Sequence, residues 1–451
     1  MNGLAPARGA GLLALGERES LSHADFWRRV QGLSDAIASR RERRWALVCE
    51  DSTWFAAGLM ALAGSGRTMV LPQAPQAGSL AASGAQVDAV LTDRPENFSG
   101  HALLPTAGVS AGVSPLLRLP DNGASIEFYT SGSSGAPKCV PKAYTQLRLE
   151  VEALERQWGQ SLGDAMMAGT VPHYHLYGVL FRVLWPLLTG RSFLNSMCLQ
   201  AAALRIATVR GDCAIVSSPA FLARIADYGD LPPPSKVRAV FSSGAPLPDD
   251  AAQRLKERWG HAAIEVYGST ETGGIAWRAW TGPEERALWR PIEGVATELR
   301  EETAGERLWV KSGCTWEGDW APTGDLARRR GGGFELLGRA DDVVKLEDKR
   351  VSLSEMRSRL LAHAWVADAR LLLLEGRRRS IGAVVILNAA GKAALAESGK
   401  AKVNATLRDA LRTGYEALLV PRKWRYVEAL PDNHMGKIER ARLERLFEAK
   451  P

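Results

Sequence analysis

Cysteine is sparse in this 451-residue chain, and the five present, Cys49, Cys139, Cys198, Cys213 and Cys314, are odd in number and widely separated. None stands in a CxxC spacing and no histidine cluster completes a metal site, which excludes a disulfide framework and a cysteine-rich zinc site. Free thiols of a reducing compartment are expected. No apolar stretch reaches membrane-spanning length, and the N-terminus lacks the basic region and apolar run of a secretory signal. The expectation is a cytoplasmic protein with no membrane span. Internal repeats and low-complexity tracts are missing as well.

Nor is there a block of one charge. The formal net charge is +7, but Lys and Arg are spread along the whole chain, so a basic solvated surface is favoured and no nucleic-acid partner is expected. Such a surface suits an anionic nucleotide or an acidic carrier protein. The length exceeds what one hydrophobic core usually supports, so two or more domains are expected.

What is present alternates. Trp45 to Cys49 and Thr68 to Leu71 read as short apolar strands, with the apolar helix-like stretch Trp54 to Ala63 between them. Ala214 to Ser217, Arg238 to Ser242 and Ala262 to Tyr267 read as further strands, and Asp249 to Trp259 as a helix with acids in its first turn. This texture predicts an α/β fold with parallel sheet. From Gly305 the segments turn β-rich, at Arg307 to Lys311 and, after the glycine run Gly331 to Gly333, at Gly333 to Leu337. Beyond Asp341 a helix near Ser354, two strands flanking Arg377 to Ser380 and a helix before Leu419 make a small α+β unit. The expected division is a large N-terminal multi-sheet α/β domain, residues 1–339, and a small C-terminal α+β domain, 340–451.

One loop carries chemistry. The alternating strand Ser125 to Tyr129 runs into Thr130, Ser131, Gly132, Ser133, Ser134, Gly135, Ala136, Pro137 and Lys138. Small residues there let backbone N–H groups and hydroxyls close around phosphate oxygens, and Lys138 adds charge. An ordinary Ser/Gly turn has the same composition. A Walker A loop is excluded, because no Gly-Lys-Ser/Thr follows the first glycine at the required spacing.

The segment TSGSSGAPK resembles the signature loop of the adenylate-forming superfamily, which includes acyl-CoA synthetases, aryl-CoA ligases, nonribosomal-peptide adenylation domains and luciferases. Further segments resemble that family's signatures in order: SSGAP (Ser242 to Pro246), YGSTE (Tyr267 to Glu271), GERLWVKSG (Gly305 to Gly313), WAPTGD with Asp325, GRADD with Arg339 and Asp341, Arg350, and LPDNHMGKIER with Lys437. The resemblance covers residues 125 to 440; the first hundred or so residues match only in α/β texture, and the large domain is short for the family.

The resemblance implies ATP and Mg²⁺ as cofactors, with a mobile small domain. Thr130 through Gly135, Lys138, Gly244, Ala245, Tyr267, Gly268, Asp325, Arg339 and Arg350 are implied to bind the nucleotide. By the same resemblance Tyr267 is implied to stack on adenine, Thr270 to bind phosphate, Glu271 to be the metal-binding acid and Asp325 to accept the ribose hydroxyls. Asp341 is implied to be the hinge, and Lys437 to neutralise charge during adenylation. A carboxylate beside triphosphate makes electrostatic sense with a cation between them, and one acid with waters suits Mg²⁺.

In VPHYHLYGVLFRVLWPLLTG, Val171 to Gly190, His175 aligns with the family's gating aromatic, and Tyr177 and Phe181 project from an expected helix towards an acyl pocket. Ser243, Gly244, Gly273 and Ile275 complete the substrate set. Core packing is the competing reading for Phe181 and Leu184, and His173 reads as structural. No acid stands between Pro172 and Gly190 to pair with a substrate ammonium, and Arg182 is the only charged side chain there, so a carboxylic acid without an α-amine is expected. Tyr177 and the histidine gate resemble those of aryl-acid ligases of the coumarate or benzoate type, which implies an aryl acid of hydroxybenzoate-like shape, while Gly273, Gly274 and Ala276 leave depth for a fatty chain. The resemblance implies CoA or the phosphopantetheine of an acyl carrier protein as the acyl acceptor. Asp348 stands where many CoA ligases have glycine beside the pantetheine tunnel, and Arg377, Arg378 and Arg379 are candidates to dock an acidic carrier. A nucleotide-binding homologue without thioester-forming activity is the alternative from another class.

Overall fold

The computed structural model describes residues 11–16, 20–109, 124–131, 137–209, 211–225, 231–282, 287–303, 305–315, 318–346, 349–375, 379–430 and 440–448. The chain forms two compact units, one of residues 1–132, 136–297 and 310–321, the other of residues 133–135, 298–309 and 322–451.

Within the first unit the early strands are β1 (Leu12–Leu15), β2 (Ser20–Ser22), β3 (Arg44–Val48), β4 (Thr68–Leu71), β5 (Ala89–Thr92), β6 (Ala102–Pro105), β7 (Ser125–Ser131) and β8 (Pro137–Ala143). They are followed by β9 (Met166–Gly169), β10 (Phe193–Leu194), β11 (Cys213–Ser217), β12 (Val237–Ser243), β13 (Ile264–Ser269), β14 (Gly273–Ala279) and β15 (Arg290–Pro291). Two sheets result, one ordered β6-β5-β3-β4-β7-β8 and the other β15-β14-β13-β12-β11-β9-β10-β1-β2. The first is parallel except for its edge, where β8 returns antiparallel to β7. In the second, β9, β11, β12 and β13 run parallel, and β14 and β15 close the edge antiparallel.

The interior strands are continuous apolar runs because both faces are covered. The helix Ser52–Gly64 is buried on nearly every side, which is why its sequence is apolar all round rather than striped. Asp51 caps it, accepting the N–H groups of Thr53 at 2.7 Å and Trp54 at 3.0 Å. The helix Tyr144–Leu162 buries Leu147, Val151, Leu154 and Trp158 along one face. One extended core gathers Phe26, Trp45, Phe55, Trp158, Trp185, Phe193 and Phe241 from the helices and both sheets.

In the second unit β16 (Ala296–Glu302), β17 (Gly305–Lys311), β18 (Ala321–Arg330) and β19 (Gly333–Arg339) form a four-stranded sheet in that order. The hairpin β20 (Val343–Leu346) with β21 (Lys349–Ser352) leads to the helix Leu353–Leu361, capped by Ser352 on the Glu355 N–H at 3.1 Å. A three-stranded sheet, β22 (Val366–Leu374), β23 (Ser380–Leu387) and β24 (Lys423–Tyr426), packs with the helix Ala389–Arg412 around Met356, Leu360, Val385, Leu407 and Trp424. The sequence places a boundary after Arg339; in the structure the four-stranded sheet groups with the C-terminal residues. At the end of that sheet β19 packs closely on the C-terminal part, since a Cβ at Gly338 would lie 2.0 Å from Ser354 Oγ. No helix among the described residues is long and apolar enough to cross a membrane.

Candidate active site

Strands β7 and β8 pair with Thr130 opposite Lys138 and Ser131 opposite Pro137. The Ser/Gly loop is therefore the connection of a β-hairpin, anchored below by buried Ile126 and Phe128. Gly132, Ser133, Ser134, Gly135 and Ala136 lie outside the described residues. Lys138, the first cation past that loop, is exposed and reaches across to Glu271, Nζ to Oε1 at 2.8 Å.

Glu271 belongs to a second hairpin. β13 and β14 pair from Ile264 opposite Ala279 to Ser269 opposite Gly273, so Thr270, Glu271 and Thr272 form the tip. The turn is tied by Ser269 Oγ to Thr272 Oγ1 at 3.0 Å and by the Thr272 N–H to Ser269 Oγ at 3.2 Å. Its glycines are steric requirements. A Cβ at Gly268 would meet Gly273 O at 2.3 Å, and Gly273 itself adopts φ +72°. Burial raises the Glu271 carboxyl, but the hydrogen bond and charge of Lys138 outweigh it, and the net shift is below the ordinary glutamate value. Tyr267, on the same strand, packs its ring 5.5 Å from that of Trp289.

Behind this hairpin stand residues that the motif reading missed: Lys142 and Glu150 hold it directly, and Gln146 and Cys314 tie the neighbouring 314–315 loop. Lys142 Nζ donates to Glu271 O and to Cys314 O, each at 2.6 Å. Glu150 Oε1 accepts the Gly274 N–H at 2.5 Å. Gln146 Nε2 donates to Thr315 O at 3.1 Å. Cys314, whose carbonyl receives Lys142, turns its thiol to Gln146 O at 3.5 Å. Lys142 and Glu150 are both buried, at 4% and 6% exposure. Burial lowers the Lys142 ammonium, with Glu150 opposing; burial raises the Glu150 carboxyl, with the Gly274 N–H, Lys142 and Cys314 opposing. A signal was available: Glu150 sits between Leu147, Val151 and Leu154 on the apolar stripe of its helix, where a lone charge needs a buried partner.

On the acyl side the expected helix is one continuous run, Leu176–Gly178, Val179–Leu184 and Trp185–Thr189, whose middle section is π-helical. The widening precedes Pro186, which cannot donate to the helical ladder. His175 stands at its N-cap and is half-buried, its ring 4.8 Å from that of Tyr174. The Tyr177 and Phe181 rings are 4.7 Å apart, and Phe181 also meets Phe241 at 5.2 Å and Trp185 at 5.5 Å. Phe181 is 2% exposed and Leu184 fully buried, so both pack in the core. Burial pushes the Tyr177 phenol well up. Ser243 Oγ donates to Val266 O at 2.8 Å, tying β12 to β13; Gly244 and Ala245 follow it in an exposed turn, and Ile275 is buried on β14.

His173 is structural, as expected from the sequence. Its Nε2 meets Cys49 O and its Nδ1 meets Ser52 Oγ, both at 2.9 Å. A carbonyl only accepts, so Nε2 carries the proton and Nδ1 accepts from Ser52. Burial pushes this imidazole down to about 3. Arg182 is buried too, donating to Val171 O at 2.5 Å, Ser196 O at 3.0 Å and Ser52 Oγ at 3.3 Å. Burial lowers its guanidinium to about 10.

In the second unit Asp325 on β18 is the register partner of Arg339 on β19. The Arg339 guanidinium covers Gly324, where a Cβ would lie 2.2 Å from Nη1. The Asp325 N–H donates to Thr323 Oγ1 at 3.1 Å, and Thr323 Oγ1 donates to Leu308 O at 2.9 Å, which fixes the strand beneath the acid. Asp341 falls in the 3-10 turn Ala340–Asp342, and Arg350 lies in β21 opposite Lys345. The side chains of Asp341 and Arg350, and the whole of Asp348, Arg377, Arg378 and Lys437, lie outside the described residues.

A family model described as AMP-binding enzyme matches residues 5–310. The chain is 31% identical over 324 residues to a 4-coumarate–CoA ligase of Rhodobacter capsulatus, covering 71% of this chain and 77% of that protein. It is 24% identical over 389 residues to a mitochondrial malonate–CoA ligase of Xenopus laevis, covering 72% of this chain and 65% of that protein. The crystal structure of ATP-bound MatB from Rhodopseudomonas palustris shares the fold with a TM-score of 0.80 at 19% identity, over 98% of this chain and 96% of that one. The loops found in order along the sequence and the matching family model agree: the chain belongs to the AMP-binding enzyme family, the adenylate-forming superfamily, and to its acyl-CoA synthetase type.

Proposed function

We propose that this protein activates a carboxylic acid with ATP, releasing pyrophosphate, and passes the acyl group to the thiol of CoA. The observation that carries the reading is the Lys138–Glu271 pair, which joins residues 133 positions apart and brings the exit of the Ser/Gly loop to the tip of the YGSTE hairpin. A phosphate cradle and an acid that meet in this way suit a nucleotide triphosphate.

The chemistry follows from charge. A substrate carboxylate is already ionised at neutral pH, so no general base is required. Its oxygen bonds to the α-phosphorus as the bond to pyrophosphate breaks, and the chain's task is to position the two and to offset developing negative charge. Lys138 and Thr130 at the loop, and Thr270 at the hairpin tip, would hold phosphate oxygens; Asp325 and Arg339 would hold the ribose side, and Lys437 would neutralise charge at the reacting centre. Among the described residues no cluster of three or more His, Cys, Asp or Glu could hold an ion alone. The half-exposed Glu271 carboxylate therefore suits an ion that takes its other ligands from phosphate and water, as Mg²⁺ does. When bound there, Mg²⁺ supplies charge neutralisation on the departing phosphates.

An aryl acid is the favoured substrate. The half-buried rings of His175 and Tyr177 stand at the start of the helical run, backed by the buried Phe181, Trp185 and Phe241, and the 4-coumarate–CoA ligase relative acts on such an acid by name. Arg182, the only charge between Pro172 and Gly190, is already committed to Val171, Ser196 and Ser52. Glu150 lies behind Gly274, but its charge faces Lys142 and the Gly274 N–H, so it is not offered to a substrate ammonium. A second acceptor, the phosphopantetheine of an acyl carrier protein, is kept by Asp348, which occupies the position where CoA ligases of this type often carry glycine.

Carboxylate-dependent exchange of labelled pyrophosphate into ATP, run across aryl, fatty, dicarboxylic and amino acids, tests the reading. Exchange with aryl acids above the others is expected. No exchange with any acid, while ATP still binds, would leave a nucleotide-binding homologue in place of the enzyme. CoA and a loaded carrier protein, supplied in turn, then identify the acceptor.

A further inference from the structure

Lys138 and Lys142 lie four residues apart on β8, hence on the same face of the strand. Both address Glu271. Lys138 takes the carboxylate at 2.8 Å, and Lys142 takes the backbone carbonyl at 2.6 Å. The two contacts differ in kind: the first is exposed, whereas the second is buried and shared with Cys314 O at 2.6 Å, with the charge of Glu150 acting on it.

A buried ammonium is retained against its desolvation cost only where its geometry is well satisfied. Here it is held by two carbonyls from different segments, with the Glu150 carboxylate supplying the opposite charge from the helix Tyr144–Leu162. Glu150 in turn fixes the Gly274 N–H on the far side of the hairpin tip, at 2.5 Å. The strand leaving the phosphate loop and the helix that follows it therefore grip the Glu271 turn at its carbonyl and again three residues later. Adding a Cβ at Gly273 would place it 2.7 Å from Glu150 Oε2, so the turn lies directly on this support.

We infer that Lys142, with Glu150 beside it, is a positioning residue that sets Glu271 against the phosphate loop for Mg²⁺-bound nucleotide. The inference rests on the reading of Glu271 as the metal-side acid. Lys142 touches neither nucleotide nor metal and acts through the Glu271 backbone.

The test is binding of α,β-methylene-ATP to the full chain, measured calorimetrically with Mg²⁺ and with EDTA. Lys142→Met is expected to weaken the Mg²⁺-dependent part of the affinity by about tenfold or more, as loss of an outer-shell partner does, with little change in EDTA. In a Glu271→Gln background the same substitution is expected to add less than about twofold, because the residue through which it acts is already disabled. Lys142→Met/Glu150→Gln removes both charges together and is expected to reproduce the loss if the single variant fails to fold. A folded variant that keeps the full Mg²⁺-dependent gain would overturn the inference, as would an equal loss in both backgrounds, which marks a merely structural lysine. If the wild-type chain itself gains nothing from Mg²⁺ and gives no pyrophosphate exchange, the reading of Glu271 fails first.

Discussion

Lys138 Nζ and Glu271 Oε1 stand 2.8 Å apart on two hairpins of the first unit, with side chains 59% and 47% exposed. An ion pair so open to water contributes only about 0–1 kcal/mol to stability. Its placement, a lysine and a glutamate at two loop ends, fits the phosphate-side roles proposed for the two side chains. Glu271→Gln is therefore expected to leave the thermal midpoint nearly unchanged while lowering pyrophosphate exchange by about a hundredfold. Parallel loss of stability and exchange would count against a functional role.

Below neutrality the fold should weaken through His173. Burial drives this imidazole from the ordinary 6.5 to about 3, so between those values the unfolded chain binds a proton that the folded chain refuses. Stability from this group is complete above 6.5 and is lost as pH falls towards 3. Between about pH 7 and 5.5 the wild type should lose about 1 kcal/mol that a His173→Asn variant does not. Urea unfolding of both proteins at the two pH values reads the difference; equal slopes would mean that His173 charges in the native state.

The loops were legible because they are local. TSGSSGAPK and YGSTE each lie within one hairpin, and their small residues report backbone conformation that is written in the same few positions. Lys142 and Glu150 were legible only in part: Glu150 on its apolar stripe asks for a buried partner, but the groups that Lys142 and Glu150 meet, Glu271 and Gly274, lie 129 and 124 positions away and no local pattern names them. The alternation that predicted parallel sheet was also local and matched β3, β4, β11, β12 and β13 closely. The π-helical section was hidden because an apolar run such as Val179 to Leu184 satisfies α and π periods alike. The unit boundary was obscured for another reason: Gly331 to Gly333 and GRADD mark turns, but whether β19 belongs with what precedes or follows it depends on packing against Ser354.

Arg182 is a structural cation. Its guanidinium holds Val171 O and Ser52 Oγ in the interior and Ser196 O nearer the surface. Arg182→Met strands those acceptors, and a loss of about 2–4 kcal/mol is expected in urea unfolding. Arg182→Lys should recover little, because an ammonium lacks the planar fork that spans separate carbonyls. A loss under about 0.5 kcal/mol would show that water replaces the guanidinium.

The family resemblance gives Lys437 work in only one of the two half-reactions. A lysine that offsets charge as the carboxylate meets the α-phosphorus has no work to do once acyl-AMP exists, and it must leave before a thiol can approach the same carbonyl. A turn at Asp341 is the natural place for that exchange, since few residues there need change their backbone angles. Lys437→Ala is expected to lower adenylation by about a hundredfold or more, while thioester formation from supplied acyl-adenylate and CoA stays within about threefold of wild type. A proline at position 341 should give the reverse pattern, adenylation persisting and transfer failing, because it stiffens the turn without touching the lysine. Equal loss of both half-reactions in Lys437→Ala would mean that the lysine holds the C-terminal unit together rather than serving one step.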